Sequence, residues 1–212
     1  MHNVFVPESV VGMEAVRFEW SDWDPYAAVG EPESSRIETL GLIGDRPLIA
    51  YALASAEWVV RRFTRLSDDP RPLQFLEASW AFLLSFEYEP PPESNEAEWK
   101  GPVRGSIDLA LMTVLNTINS TQGGKAEVDA GLEEQIARHV LERATEFEDW
   151  AGAVTLRLIE HFPREQDSDR RMVPRSFFDL SHAYDERAVD AEVESYLREL
   201  RPEGNPFLIR RR

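Results

Sequence analysis

No cysteine occurs in the 212 residues. That excludes a disulfide scaffold, a thiolate zinc or iron–sulfur site, and a cysteine nucleophile. Lysine is nearly absent too: Lys100 and Lys125 are the only two, and every other basic side chain is arginine. Codon bias in a G+C-rich genome would produce that skew, so no function is read from it. Histidine is limited to His2, His139, His161 and His182. None follows a glutamate at the Glu-x-x-His spacing that puts two ligands on one helix face in di-iron carboxylate bundles. The His-Glu-x-x-His of zinc proteases is missing as well. Positive charge is in deficit: 39 acidic residues face 23 basic ones, a net charge of −16. Nucleic acid is therefore not an expected partner, because neutralising phosphates needs clustered Lys and Arg. No apolar run approaches the roughly 18 residues that span a bilayer, so no membrane association is expected. Met1–Pro7 lacks the basic segment and apolar stretch of a secretory signal, and the expected location is the cytoplasm.

Catalytic signatures are missing as well. Gln122-Gly123-Gly124-Lys125-Ala126 has a Gly-Gly-Lys core. A P-loop needs an earlier glycine and a Ser or Thr after the lysine to hold phosphate and magnesium. Here Ala126 stands in that place, and the segment reads as a turn that ends a helix. There is no Gly-x-Gly-x-x-Gly and no Gly-x-Ser-x-Gly. Neither a cofactor nor an enzymatic activity is expected. Carboxylate pairs drawn from distant elements leave no sequence trace, so a helical small-molecule-binding domain stays open as an alternative, as does a scaffold or adaptor.

What is present suits one globular domain: 42% of residues are hydrophobic and 29% charged, enough to bury a core. The negative charge is concentrated. Residues 1–44 hold eight carboxylates against two arginines, residues 67–100 eight against Arg71 and Lys100, and residues 127–162 nine against three arginines. Such patches steer a basic partner at long range. A solvated surface that keeps the chain in solution accounts for the same charge.

The patterning is helical. Residues 1–44 form an irregular segment packed on the domain, with two short strands expected at Val4–Val6 and Ala15–Trp20 and loops over Ser21–Tyr26 and Gly30–Ser35. Helical spacing then begins near Asp45, a capping residue, with Pro47 in the first turn. Ile49, Ala52, Ala56, Val59, Val60, Phe63 and Leu66 carry it onward. Glu57, Arg61 and Arg65 make an i, i+4 ladder on another face. A second helix spans about Pro72 to Glu87, with stripes Leu73, Leu76, Trp80, Leu83, Leu84 and Phe75, Ser79, Phe82, Phe86. Apolar on two sides, it is expected to be central. Further helices are expected over 103–119, 127–146, 149–162 (the last two separate or one bent helix) and 185–200. The sum is an all-α antiparallel bundle of about six helices over residues 45–200, followed by a tail at 201–212.

Aromatic residues among acids provide the candidate binding surface. Trp20, Asp22, Trp23 and Asp24 stand together near Tyr26, and Glu89, Glu93, Glu96 and Glu98 surround Trp99. Aromatic anchors ringed by carboxylates suit a basic protein partner. Each tryptophan folding back over the bundle is the competing expectation.

Residues 52–78 carry a family resemblance: Ala52-Leu53-Ala54-Ser55-Ala56-Glu57-Trp58-Val59-Val60, then Asp68-Asp69-Pro70-Arg71-Pro72, then Leu76-Glu77-Ala78. The stretch resembles one in small helical bacterial immunity proteins of toxin–immunity systems, whose pattern runs Cys-Ala-Glu-x-Val, a spacer, Asp-x-Arg-Pro, and Ile-Glu-Ala. Ser55 stands where that pattern has cysteine, and Pro70 is inserted. The resemblance implies an all-α cytoplasmic protein that binds and blocks a cognate toxin. The acidic charge would suit a basic nuclease. In physical terms Asp69-Pro70-Arg71-Pro72 is also a good helix start, and Arg71 is within sequence reach of Glu57 or Glu77 for an inter-helix ion pair.

Overall fold

A computed structural model describes residues 5–93, 100–121, 124–142, 144–164 and 171–212. Its regular elements are helical: α1 Glu8–Val11, α2 Pro25–Val29, α3 Ser34–Leu40, α4 Asp45–Arg62, α5 Arg71–Leu84, α6 Gly101–Ser120, α7 Ala126–Val140, α8 Ala144–His161 and α9 Val189–Glu199, with 3₁₀ turns at Arg175–Phe178 and Glu186–Ala188. No strand occurs among the described residues; two isolated bridges join Ile43 to Pro163 and Tyr88 to Arg210.

α4 is the centre. Every residue from Pro47 to Arg62 is buried. Ala50, Ala52, Ala54 and Ala56 keep its surface thin, so that α5, α6, α7 and α8 all reach it. Close packing of this kind is where most of a domain's apolar stabilisation arises. An aromatic cluster fills one side, with Trp58 and Trp150 at 5.3 Å and Phe5 stacked on Trp150 at 5.7 Å. The central place that sequence pattern gives to the Pro72–Glu87 helix thus belongs to α4. α5 ends at Leu84, with Ser85 extended. Phe86 lies beyond that end, exposed, under the Arg46 guanidinium at 4.7 Å. Arg46 also donates to the carbonyls of Leu83 and Phe82, the unpaired acceptors that every helix C-terminus leaves.

The expected ladder on α4 is not a solvent face. Glu57 is fully buried and takes Arg61 at 3.2 Å and, from far along the chain, Arg175 at 2.6 Å. Arg65 is exposed and pairs with Glu14 at 3.1 Å. Arg71 is held by Asp69 at 2.6 Å, and Asp69 also takes Arg104 of α6 at 3.2 Å. The Asp-Pro-Arg-Pro segment therefore starts α5 and ties it to α6.

The N-terminal region differs from expectation. Val4 lies outside the described residues, Val6 is buried in the core, and Ala15–Trp20 runs without strand pairing. Its backbone is satisfied by side chains instead: Arg62 donates to the carbonyls of Met13 and Ala15, and His139 Nε2 meets the Glu19 carbonyl at 2.7 Å. Backbone groups bonded in this way need no ladder. Three short helices, α1 to α3, stand within the segment expected to be irregular, α2 and α3 starting at the ends of the two expected loops. Asp45 is the first residue of α4 and not its cap, which is Gly44. Asp185 does cap, accepting from Arg187 N, but of the 3₁₀ turn that leads into α9.

Residues 201–212 close back onto the body. Phe207 packs on Phe75 with ring centroids 5.5 Å apart. Asn205 Nδ2 donates to the Gln74 carbonyl and to Glu77. Glu89 N–H donates to the Ile209 carbonyl, and Arg211 N–H to the Glu87 carbonyl.

Candidate functional site

The segment from Trp20 to Tyr26 builds an exposed corner over α6 and α7. Trp20 turns inward: its ring rests on Gly105 of α6, where an added Cβ would stand 2.5 Å from the ring. Its Nε1 donates to Asp22 Oδ1 at 2.8 Å, and the Gly101 N–H donates to the same oxygen at 2.7 Å. Those two donors and Lys100 hold the Asp22 carboxyl below its ordinary range. Asp22 is thus an ionised strut between the segment and the start of α6. Ser21 Oγ accepts from the Trp23 and Asp24 N–H groups at 3.4 and 3.3 Å. Asp24 then caps α2 by accepting from Ala27 N at 3.1 Å, with Pro25 in the first turn. This tight turn throws Trp23 outward, and it is 98% exposed. Of the tryptophans expected at the surface, Trp20 folds back and Trp23 does not.

Tyr26, 48% exposed, forms a ridge with a groove on each side. Toward α7 lies one of about 690 Å³, lined by Ile37, Val128 and Leu132 and rimmed by Asp24 and Glu31. Toward α6 lies one of about 400 Å³, lined by Trp20, Asp22, Met112 and Asp108. Burial first, then Asp129 and Asp108, push the Tyr26 hydroxyl up, which marks negative potential on the ridge. Asp108 escapes sequence reasoning. It lies among the inward residues of α6, and only the fold shows that it borders a groove.

The remaining expected residues do not join this corner. Glu89 belongs to the C-terminal closure, with Arg211 at 3.5 Å. Glu93 is exposed at the edge of the described chain. Glu96, Glu98 and Trp99 lie outside the described residues.

A further groove, about 480 Å³, runs between α5, Arg175 and α9. Two of its carboxylates are engaged internally: Glu192 accepts from Ser176 Oγ, and Glu77 from Asn205 Nδ2 at 3.0 Å. His139 is half-buried and packs on Phe18 at 5.2 Å. Asp179 and His182 form a pair at 3.1 Å, with the His182 ring exposed. Among the described residues no three His, Asp or Glu side chains converge as a metal site, and no helix is long and apolar enough to cross a membrane. The chain matches no family model, no curated protein and no solved structure.

Proposed function

We propose that this protein binds and neutralises a basic protein partner, a cognate bacterial toxin, through the corner formed by Asp22, Trp23, Asp24 and Tyr26. One observation carries the reading: an indole 98% exposed, held out by a hydrogen-bonded turn and flanked by two carboxylates. A large apolar ring left in water is costly unless a partner covers it, and tryptophan is the residue most enriched at binding hot spots. The resemblance of residues 52–78 supplies the class of partner. Those residues lie in α4, the turn after it and α5, where they build the core, so the binding chemistry falls elsewhere. The net charge of −16 favours fast, salt-sensitive association with a cationic surface.

Capture from the native lysate at low salt, with wild type and Trp23→Ala side by side, tests this. A single stoichiometric basic protein is expected, released by salt and held at least tenfold more weakly by Trp23→Ala. Expressed alone it should arrest growth, and with this chain it should not. A captured protein that is harmless, or that ignores Trp23→Ala, overturns the proposal. A small-molecule role is favoured by one observation only, the groove of about 690 Å³ beside Tyr26, a volume usual for ligand sites.

A further inference from the structure

The groove between Trp20 and α6, which Lys100 also lines, holds a carboxylate, Asp108, that makes no ion pair among the described residues. Asp108 is half-buried, and its Oδ1 is out of contact with water and takes no hydrogen bond among the described residues. Burial alone pushes its carboxyl up to about 6. The contrast with Asp22, across the same groove, is instructive. Asp22 has two N–H donors and the influence of Lys100, while burial governs Asp108. Around it stand the aromatic rings of Trp20 and Tyr26 and the thioether of Met112. A half-buried carboxylate in an aromatic-walled groove is stabilised by whatever brings a counter-charge that tolerates loss of water. Guanidinium fits best. It is planar, weakly hydrated and stacks on aromatic faces, whereas an ammonium ion keeps its water more tightly. A space of about 400 Å³ admits one such side chain.

We propose that this groove receives an arginine side chain of the partner, its guanidinium paired with Asp108 and flanked by Trp20 and Tyr26. The inference rests on the reading that the corner docks a basic protein, and it names the element that such a partner inserts. Trp23 then covers the partner's surface next to the inserted side chain, and Asp22 keeps the groove's two walls at their spacing.

The test uses the intact chain and a small probe. N-acetyl-arginine methylamide is titrated while the Trp20 indole N–H resonance is followed, with N-acetyl-lysine methylamide as the comparison. The arginine probe is expected to shift that resonance saturably, with a Kd on the order of millimolar for a single side chain, and the lysine probe to bind several-fold more weakly. Asp108→Asn keeps the shape and removes a strained charge, so it folds, and it should weaken the arginine probe at least tenfold. Leu156→Ala, at an exposed position of α8 that does not line the groove, should leave it unchanged. No saturable shift in the wild type, or equal binding by Asp108→Asn, overturns the inference. Equal binding of the lysine probe overturns the choice of guanidinium. The two readings fail separately. If a protein partner binds through Trp23 but the arginine probe does not bind, only the groove's role falls. If the probe binds and no basic protein is captured, the partner reading falls.

Discussion

Glu133 is fully buried, and among the described residues neither of its carboxylate oxygens has a hydrogen-bond partner. Its neighbour Glu134 is buried as deeply but bonds Arg36 at 2.5 Å, and Arg36 in turn donates to Tyr51 and Thr155. Adjacent residues on a helix point about 100° apart, so sequence shows that the two part company. It does not show which one goes inward alone. Glu133 falls on the stripe of Ala126, Ala130 and Ala137, small residues that let α6 and α4 approach α7. Burial pushes the Glu133 carboxyl well above its ordinary range. The folded chain therefore holds a proton that the unfolded chain has released, and stability falls as pH rises from the ordinary carboxylate range toward the folded value. Glu133→Gln removes that linkage. Its Tm should exceed that of wild type by several degrees at pH 8, each ~1 kcal/mol being about 2–4 °C in a chain of this size. Near pH 4 the difference should vanish. Thermal melts across that range check both ends, and a gain independent of pH would show that Glu133 is not the titrating group.

At the scale of elements, α4 through α9 are where sequence reads best, although the expected 127–146 helix ends at Val140 and α8 already begins at Ala144. Their apolar spacing is strong, and the breaks fall at turn residues such as Ser67–Pro72. The N-terminal forty residues read poorly, because their order comes from tertiary contacts. Arg62 and His139 satisfy a backbone whose own pattern is too short to specify pairing. The corner is legible in part for the same reason. Exposed aromatics near acids are visible in the sequence, but their depth depends on what lies opposite. Trp20 is decided by Gly105, 85 positions away, whose missing side chain gives the ring its seat. Gly105→Ala should lift Trp20 from α6, break its bond to Asp22 and destabilise the chain by about 1–3 kcal/mol, as overpacking usually does. Denaturant melts together with a red-shifted indole emission check this, and unchanged emission would mean that the helix moves and the ring does not.

For the whole molecule, the imbalance of 39 acidic against 23 basic residues sets a repulsion that folding concentrates. Several pairs offset it locally, among them Arg164 with Asp45 at 3.2 Å and Arg138 with Glu148 at 3.7 Å, but exposed pairs of this kind contribute little each. Screening should therefore stabilise the fold. Raising NaCl from about 20 to about 300 mM should raise Tm by a few degrees while slowing association with a basic partner. A fall in Tm would mean that the ion pairs outweigh the repulsion. The closure of residues 205–211 onto residues 74–89 has a consequence in time. A polypeptide is made from its N-terminus, and Gln74 leaves the ribosome 131 residues ahead of Asn205, which its carbonyl will bind. Phe75 must wait as long for Phe207. Until then one flank of α5 stays greasy and uncovered, so a newborn copy of this protein is stickiest while still attached to its ribosome.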